Sequence, residues 1–522
     1  MSTRSGWDVV IVGAGSAGCV VAARLSEDPA CQILLLEAGP DHGPEGPPED
    51  LIDPSSGPTV LERYDWGLTS VAARRVPALE LPRGRVVGGC SAMNATVALR
   101  GSPADYDAWA RSGNDGWSFA EMLPSFVRLE TDRDFGAADH HGSNGPIIIR
   151  RFTGAERSLL AAVADESLVH AGLPRVADHN APGAVGVSAL PLNAVHRRRI
   201  STAVAYIDPV RERRNLQVRG DVLVDRVMLS GSRATGVRLA NGETIAAGEV
   251  IVSAGAYLSP ALLLRSGVGP AAELRKLGID VVVDLRGVGD NLIDHPATSI
   301  DLPYVLRVTG EPVFQLAATA FSAASDARFD PPDIQLLTGG PFGEPGADEG
   351  ACFVAVGLLK PRSRGSVRLR SADPEAAPLI DLGYYSDSAD LPRLIEGMSI
   401  AESALAAPGW SKVTGGHRLT PRITDPAALR RHAVAETWTY HHPAGTCAMG
   451  RSPDAGAVVD DRCRVHGIAG LSVIDASVMP DIPSANTNIP TIAVAEHVIA
   501  LRRAGAGTRA TAPGSAQRAL PR

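Results

Sequence analysis

The run Tyr440-His441-His442-Pro443-Ala444-Gly445-Thr446-Cys447 places two imidazoles and a thiol in a segment of small residues. Three chemistries use such groups: metal ligation, nucleophilic attack and proton transfer. A structural zinc site needs a closed tetrahedral set of thiolates and imidazoles. His441, His442, Cys447, Cys463 and His466 are too irregularly spaced for one, so no metal is expected. No G-x-C-x-G elbow surrounds Cys447, and buried thiols are commonly inert, so a nucleophile is not expected either. Proton transfer remains, because a neutral imidazole accepts a proton near pH 7. Strand alternation points His441 opposite to His442, which leaves His441 either packed or in the wall of a substrate pocket.

What those histidines serve depends on the other end of the chain. Gly13-Ala14-Gly15-Ser16-Ala17-Gly18 fits G-x-G-x-x-G, and it follows the apolar run Val9-Val10-Ile11-Val12. The segment from Ala17 to Ser26 has helical spacing, and Ile33-Leu34-Leu35-Leu36 is a second apolar run that ends at Glu37. Strand, glycine turn, helix, strand and acid make the context that a dinucleotide fingerprint requires. Gly13 permits the tight turn, Gly15 lets the backbone approach a pyrophosphate, and Gly18 lets the helix pack on the strand. The helix N-terminus offers free N–H groups and partial positive charge to phosphates. Glu37 can accept from both hydroxyls of a ribose, and its charge disfavours a 2′-phosphate. The motif alone does not separate NAD from FAD.

The chain has 522 residues, 44% of them hydrophobic, which is ample for two domains. A net charge of -8 and 4% aromatics give no footprint for nucleic acid. The basic runs His196-Arg197-Arg198-Arg199 and Arg211-Glu212-Arg213-Arg214 read as solvated faces or helix ends. The six cysteines are scattered without C-x-x-C, as in a reducing cytosol, and Met1 to Asp8 does not resemble a signal peptide, so a cytoplasmic protein is expected. No stretch is apolar for about 18 residues, so no membrane span is expected. Asp41 to Thr59 reads as an irregular surface loop and Trp109 to Glu130 as helical, with a lid candidate at Phe135 to Gly145. An amphipathic helix is expected over 155–171. Val222 to Ser253 reads as a hairpin turning at Asn241-Gly242, followed by a strand. Residues 299–380 read as mixed strands and loops.

Two further segments identify the cofactor. Gly84-Arg85-Val86-Val87-Gly88-Gly89-Cys90-Ser91-Ala92-Met93-Asn94 is a second glycine-rich loop with a hydroxyl and an amide. Gly255-Ala256-Tyr257-Leu258-Ser259-Pro260 opens a helix that stops at Gly267-Val268-Gly269. With the N-terminal fingerprint, these resemble the signatures of the glucose–methanol–choline (GMC) family of FAD-dependent oxidoreductases, from about Asp8 to Leu501. The resemblance is strongest to bacterial oxidases and dehydrogenases of aryl, furanic or choline-like primary alcohols, and Pro103-Ala104-Asp105-Tyr106-Asp107-Ala108-Trp109 is similar to a segment of those enzymes.

The resemblance implies an α/β fold: a Rossmann-like FAD-binding domain with an interleaved α+β substrate domain whose sheet covers the flavin. The expected FAD pieces are 1–150, 212–298 and 446–503, the substrate pieces are 151–211 and 299–445, and a disordered tail follows at 504–522. Implied cofactor contacts come from Gly13, Gly15, Ser16, Ala17, Gly18, Glu37 and Ala38, and from Gly88, Ser91, Asn94, Ala95 and Val97. Val224 is implied at the adenine, and Asp475, Ala476 and Asn488 near the flavin, although Asp475 and Asn488 read equally as structural caps. Members with histidyl-linked flavin carry that histidine at the position of Met93, so non-covalent FAD is expected.

By the same resemblance, His442 is the catalytic histidine and Asn486 its partner. The chemistry agrees: alcohol oxidation removes a hydroxyl proton and a carbon-bound hydride, and an uncharged amide can hold the forming alkoxide at any pH. The expected substrate is a small primary alcohol, with oxygen or another carrier accepting the electrons. Rivals are a quinone- or mycofactocin-linked dehydrogenase and a flavin-containing hydroxynitrile lyase. An NAD-dependent dehydrogenase and a flavin-binding protein without turnover fit less well.

Overall fold

The computed structural model describes residues 6–510 apart from 75, 309–312, 327–329 and 345, with backbone alone at 57–59 and 505–510. Its first unit is the expected one. β1 (Trp7–Val12) and β2 (Ile33–Leu36) lie parallel and in register from Val9↔Ile33 to Val12↔Leu36, joined by α1 (Ser16–Leu25). Neither strand alternates apolar and polar residues, because both faces are covered. The small residues of α1, Ala17 to Ala23, are buried against that sheet.

β1 sits between β2 and the strand Thr244–Val252, and Leu216–Arg219 adds to the far side of β2. Thr244–Val252 does two jobs. Its first residues pair antiparallel with Arg233–Leu239, and Val250–Val252 run parallel between β1 and Leu471–Val473. The Asn241-Gly242 turn lies where the sequence places it, with Gly242 at φ +90. Four distant segments thus bring the ends of parallel strands together, the position at which open α/β sheets bind ligands.

A second sheet has six antiparallel strands in the order Trp438–Thr439, Pro296–Tyr304, Gly350–Leu358, Ile334–Phe342, Phe314–Ala320, Val187–Ala189. The helices Leu159–His170 and Asp390–Leu405 bury one of its faces around Ile300, Leu336 and Val356. The other face carries Ala297, Ala317, Leu337 and Ala355 and meets Val97, Tyr440 and Ala485. The strand Pro296–Tyr304 begins ahead of the expected boundary at 299.

Four local expectations are corrected. Asp41 to Thr59 is not an irregular loop: Glu49–Ile52 is a helical turn entered at Pro48, and Gly57–Tyr64 begins a helix. Leu51 packs with Val60 and Tyr64, and Ile52 beside it is buried, an apolar face hidden in a composition rich in Pro, Gly and acid. The helical stretch from Trp109 to Glu130 is two helices, Pro103–Arg111 and Phe119–Leu129, each opened by a capping box (Ser102 with Asp105, Ser118 with Glu121). Gly113 at φ +103 and Gly116 at φ +89 make the break.

Phe135 to Gly145 is not a free lid. His141 is buried between Glu130 and Asp178, and Asp132 Oδ1 accepts from the backbone N–H of Asp134 and Phe135. Finally, the last helix (Asn488–Ala510) continues past 504, where a disordered tail was expected, and 511–522 lie outside the described residues. No helix among the described residues is long and apolar enough to cross a membrane.

Candidate active site

A cavity of about 360 Å³ runs from Glu37 at the end of β2 to His442 and Asn486. At the nucleotide end, Gly13 has φ +100 and turns the chain between β1 and α1. A Cβ on Gly18 would stand 1.9 Å from the Gly13 carbonyl oxygen, so the helix can approach the turn only with glycine there. Gly15 differs. The nearest atom to a Cβ on it is Gly89 Cα at 3.9 Å, and its open side belongs to the cavity.

Glu37 accepts from Ala14 N–H (2.9 Å) on one oxygen and Gly39 N–H (3.0 Å) on the other. Burial raises this carboxyl to about 7 against those stabilising bonds. The N-terminus of the last helix meets α1 here: the Ser16 hydroxyl donates to Asn488 Oδ1 (2.9 Å), and Asn488 Nδ2 is buried without a partner. A glycine with cleared space, a ribose-type acid, two converging helix N-termini and an unused buried donor fit an extended dinucleotide cofactor.

Ser16, Ala17, Ala38, Asn94, Ala95, Val97, Val224, Asp475 and Ala476 line the cavity, with Gly13 and Gly15. Gly18, Gly88 and Ser91 do not. Gly18 is used for packing. Gly88, at φ +102, donates from its N–H to the Ala14 carbonyl (2.7 Å) and ties the second glycine loop to the first. Ser91 turns away, donating to Gly88 O (2.6 Å) and pairing with the Thr202 hydroxyl (2.8 Å). Asp475 is a cap: its carboxylate accepts from Gly255 N–H (2.8 Å), Ser477 N–H (2.8 Å) and the Ser259 hydroxyl (2.5 Å). Met93 packs beside the cluster of Leu51, Val60 and Tyr64.

At the other end, His442 Nε2 lies 3.1 Å from Asn486 Nδ2, and His442 Nδ1 lies 3.0 Å from Nδ1 of His295. The backbone N–H groups of His295 (2.9 Å) and His442 (2.8 Å) both donate to Asp294 Oδ1. The hydroxyls of Thr439 and Tyr384 donate to Asp294 Oδ2. Burial, then the neighbouring His295, His441 and Arg83, hold His442 well below the usual imidazole value. His442 is therefore neutral at physiological pH. That is the protonation state a general base requires.

His441 does not alternate with His442. Its φ of +65 is left-handed, its N–H donates to the Thr439 hydroxyl (2.9 Å), and both terminal nitrogens of Arg83 donate to its carbonyl (3.1 Å each). The strand ends at Thr439, so a period of two has no hold here, and both histidines line the cavity. Cys447 is fully buried with its thiol pushed up by desolvation. His466 Nε2 is 3.0 Å from Gly450 O.

Residues the sequence did not single out complete the site. Arg83 grips His441, and His295 backs His442. Arg199 is not the solvated side chain expected of its basic run: it is buried, lowered to about 10 by burial, and donates to Leu51 O (3.1 Å) and Asn94 Oδ1 (3.0 Å). A lone histidine before a strand and an arginine in a basic run carry no local signal of such roles.

Comparison with known proteins gives the family. The chain matches the GMC oxidoreductase family over residues 7–297 and 361–495. It is 37% identical to the 5-(hydroxymethyl)furfural oxidase of Methylovorus sp. (strain MP688), over 94% of this chain and 98% of that protein. It is 36% identical to the mitochondrial choline dehydrogenase of Homo sapiens, over 95% and 89% respectively. Among solved structures, pyridoxine 4-oxidase from Mesorbium loti superimposes with a TM-score of 0.87 at 31% identity, covering 96% of this chain and 99% of that one. The chain belongs to the GMC oxidoreductases, a family of FAD-dependent enzymes acting on alcohol groups.

Proposed function

We propose that this enzyme oxidises a small primary alcohol to its aldehyde, with His442 as the base and Asn486 as the group that holds the forming alkoxide. One observation carries the reading: a neutral imidazole Nε2 and a carboxamide 3.1 Å apart line the same cavity as the dinucleotide fingerprint. The bound flavin supplies the hydride acceptor. His442 Nε2 takes the hydroxyl proton, and the Asn486 amide N–H stabilises the oxygen from which it leaves. Val97 and Tyr440, which pack on the apolar face of the second sheet, line the same cavity. An aldehyde in its hydrated form presents the same C–H and O–H pair, so oxidation onward to the acid follows the same route. The relatives' names point to neutral hydroxymethyl groups and to choline as substrate types for comparison.

FAD is held by Gly13, Gly15, Ser16, Ala17, Glu37, Ala38, Asn94, Ala95, Val97 and Val224, with backbone from Ala476 and the helix starting at Asn488. Gly18, Gly88, Ser91 and Asp475 act one step back, shaping the loops that hold it. The FAD-binding domain is assembled from 1–150, 212–295 and 446–503, and the substrate domain from 151–211 and 296–445, with the boundary moved to the start of the strand Pro296–Tyr304. The attachment is non-covalent, since the family's linking position is Met93 and its side chain packs in an apolar cluster. Acid precipitation of the holoenzyme is expected to leave all the yellow colour in the supernatant. Colour in the washed pellet contradicts this.

The reduced enzyme passes its electrons to oxygen or to another carrier. Recovery of the flavin band on admitting air decides between them: fast recovery marks an oxidase, slow recovery a dehydrogenase.

A further inference from the structure

Behind the base stands a second imidazole. His295 directly precedes the strand Pro296–Tyr304 and is 0% exposed. Its Nδ1 is 3.0 Å from His442 Nδ1, and the two rings are nearly perpendicular at 83°. At that distance two bare nitrogens repel and two N–H groups clash, so one proton lies between the rings. Each neutral ring carries a single N–H. Two arrangements follow. If His442 owns the shared proton, its Nε2 is bare and faces Asn486, and His295 carries its own proton on Nε2. If His295 owns it, His442 carries its proton on Nε2 and cannot accept another there.

The far side of His295 chooses between them. Its Nε2 is buried without a hydrogen-bond partner, and the backbone carbonyls of Leu359 and Pro483 lie against the ring whose Nδ1 is already taken by His442. Carbonyls only accept, so they favour a proton on His295 Nε2 and leave its Nδ1 bare. Asp294 does not intervene, because the two backbone N–H groups and two hydroxyls already described occupy its oxygens. The titratable groups facing His295 are Lys360 and Asp481, and Arg83 and the neutral His441 face His442. None of these replaces the contact between the rings.

We propose that His295 is a positioning residue for the oxidation. It accepts from His442 Nδ1–H, which fixes the tautomer with Nε2 bare toward the substrate, and it supports the imidazolium once that nitrogen is protonated. This rests on the reading of His442 as base. In the step, the substrate O–H bond breaks, its proton goes to His442 Nε2, and the electron pair stays on oxygen and forms the C=O bond; the hydride that leaves carbon would be taken up by the flavin when bound. The Nδ1 proton remains between the rings throughout.

The test uses three holoenzyme variants. Asn places its Oδ1 acceptor where His Nδ1 stands, Gln places it one bond further, and Phe keeps the ring volume without an acceptor. His295→Phe is expected to slow alcohol oxidation by about 10–100-fold with KM nearly unchanged, and His295→Asn to recover most of that loss while His295→Gln does not. Equal rates for the Asn and Gln variants, or a Phe variant within about threefold of the parent, overturn the proposal. If the Phe variant fails to hold flavin, the Asn–Gln contrast decides alone.

A second readout is independent of turnover. In protein labelled with 15N-histidine, the resonances lost in His442→Ala are expected to show a protonated Nδ1 and a bare Nε2, and the opposite tautomer overturns the proposal. A His442→Ala enzyme that remains fast contradicts the base itself. A slow His442→Ala beside a fast His295→Phe contradicts only the role of His295.

Discussion

His442→Ala is expected to slow anaerobic oxidation of a good alcohol substrate by about 10²–10⁴-fold, or about 3–5 kcal/mol of transition-state stabilisation. The magnitude follows from the task. Without a base, the alcohol must lose hydride while its oxygen keeps a proton or gives it to water. Among the described residues, no carboxylate or neutral imidazole but that of His441 stands beside His442 in the cavity lining. Asn486 still hydrogen-bonds the oxygen in the variant, so substrate affinity changes little and the loss appears in the rate. The same environment sets the pH profile. The base works when neutral, and burial holds its pKa well below 6.5. The rate of the parent enzyme is therefore flat from pH 6.5 upward through neutrality, and its acid limb lies below pH 6.5. A loss under about threefold in His442→Ala removes the base from the account.

The second large effect is at the nucleotide end, where two glycines of one motif are expected to respond differently. Gly18→Ala drives a methyl to 1.9 Å from the Gly13 carbonyl oxygen, a backbone atom that cannot swing aside. The turn and α1 must separate, at about 1–3 kcal/mol or more, and purified protein is expected to lose most of its flavin. Gly15→Ala meets nothing of the protein closer than 3.9 Å, but fills space that a pyrophosphate would use. It is expected to fold with an unchanged apo melting temperature and to bind FAD more weakly. Spectral flavin content and thermal unfolding of the two apoproteins check this. Equal melting temperatures would contradict the packing role of Gly18.

The parts legible in the sequence are those governed by short-range physics. Two uninterrupted apolar runs, a glycine turn and an acid at the right spacing determine the β1–α1–β2 unit, and each piece lies where that pattern places it. The Asn241-Gly242 turn is legible for the same reason. The pairing of His442 with Asn486 is not of this kind: the resemblance to the family implies it, and the structure sets His442 Nε2 3.1 Å from Asn486 Nδ2.

What was not legible depends on partners far away in the chain. His441 escapes strand alternation because the strand ends at Thr439, and Arg83, some 358 positions distant, then holds its carbonyl. Ser91 has the composition of a phosphate-loop serine, yet Thr202 takes its hydroxyl. Arg199 sits in a basic run that looks solvated, but Leu51 and Asn94 draw it inward. His295 is one residue beside an aspartate, and only the folded chain turns its Nδ1 to His442. The lid expected at Phe135 to Gly145 failed for a related reason: its loop composition conceals His141, which the buried acids Glu130 and Asp178 hold in place.

The measurement that tests the central claim most directly is the visible spectrum of the purified enzyme, without oxygen, before and after addition of a panel of primary alcohols. The panel should span hydroxymethyl aromatics, furanic alcohols, pyridoxine and choline. A flavin band that one of these alcohols bleaches within seconds, and that bleaches far more slowly in His442→Ala, is the predicted result. A flavin band that no alcohol bleaches, with hydrogen cyanide released from mandelonitrile, would contradict an alcohol-oxidising role and favour a lyase on the same scaffold.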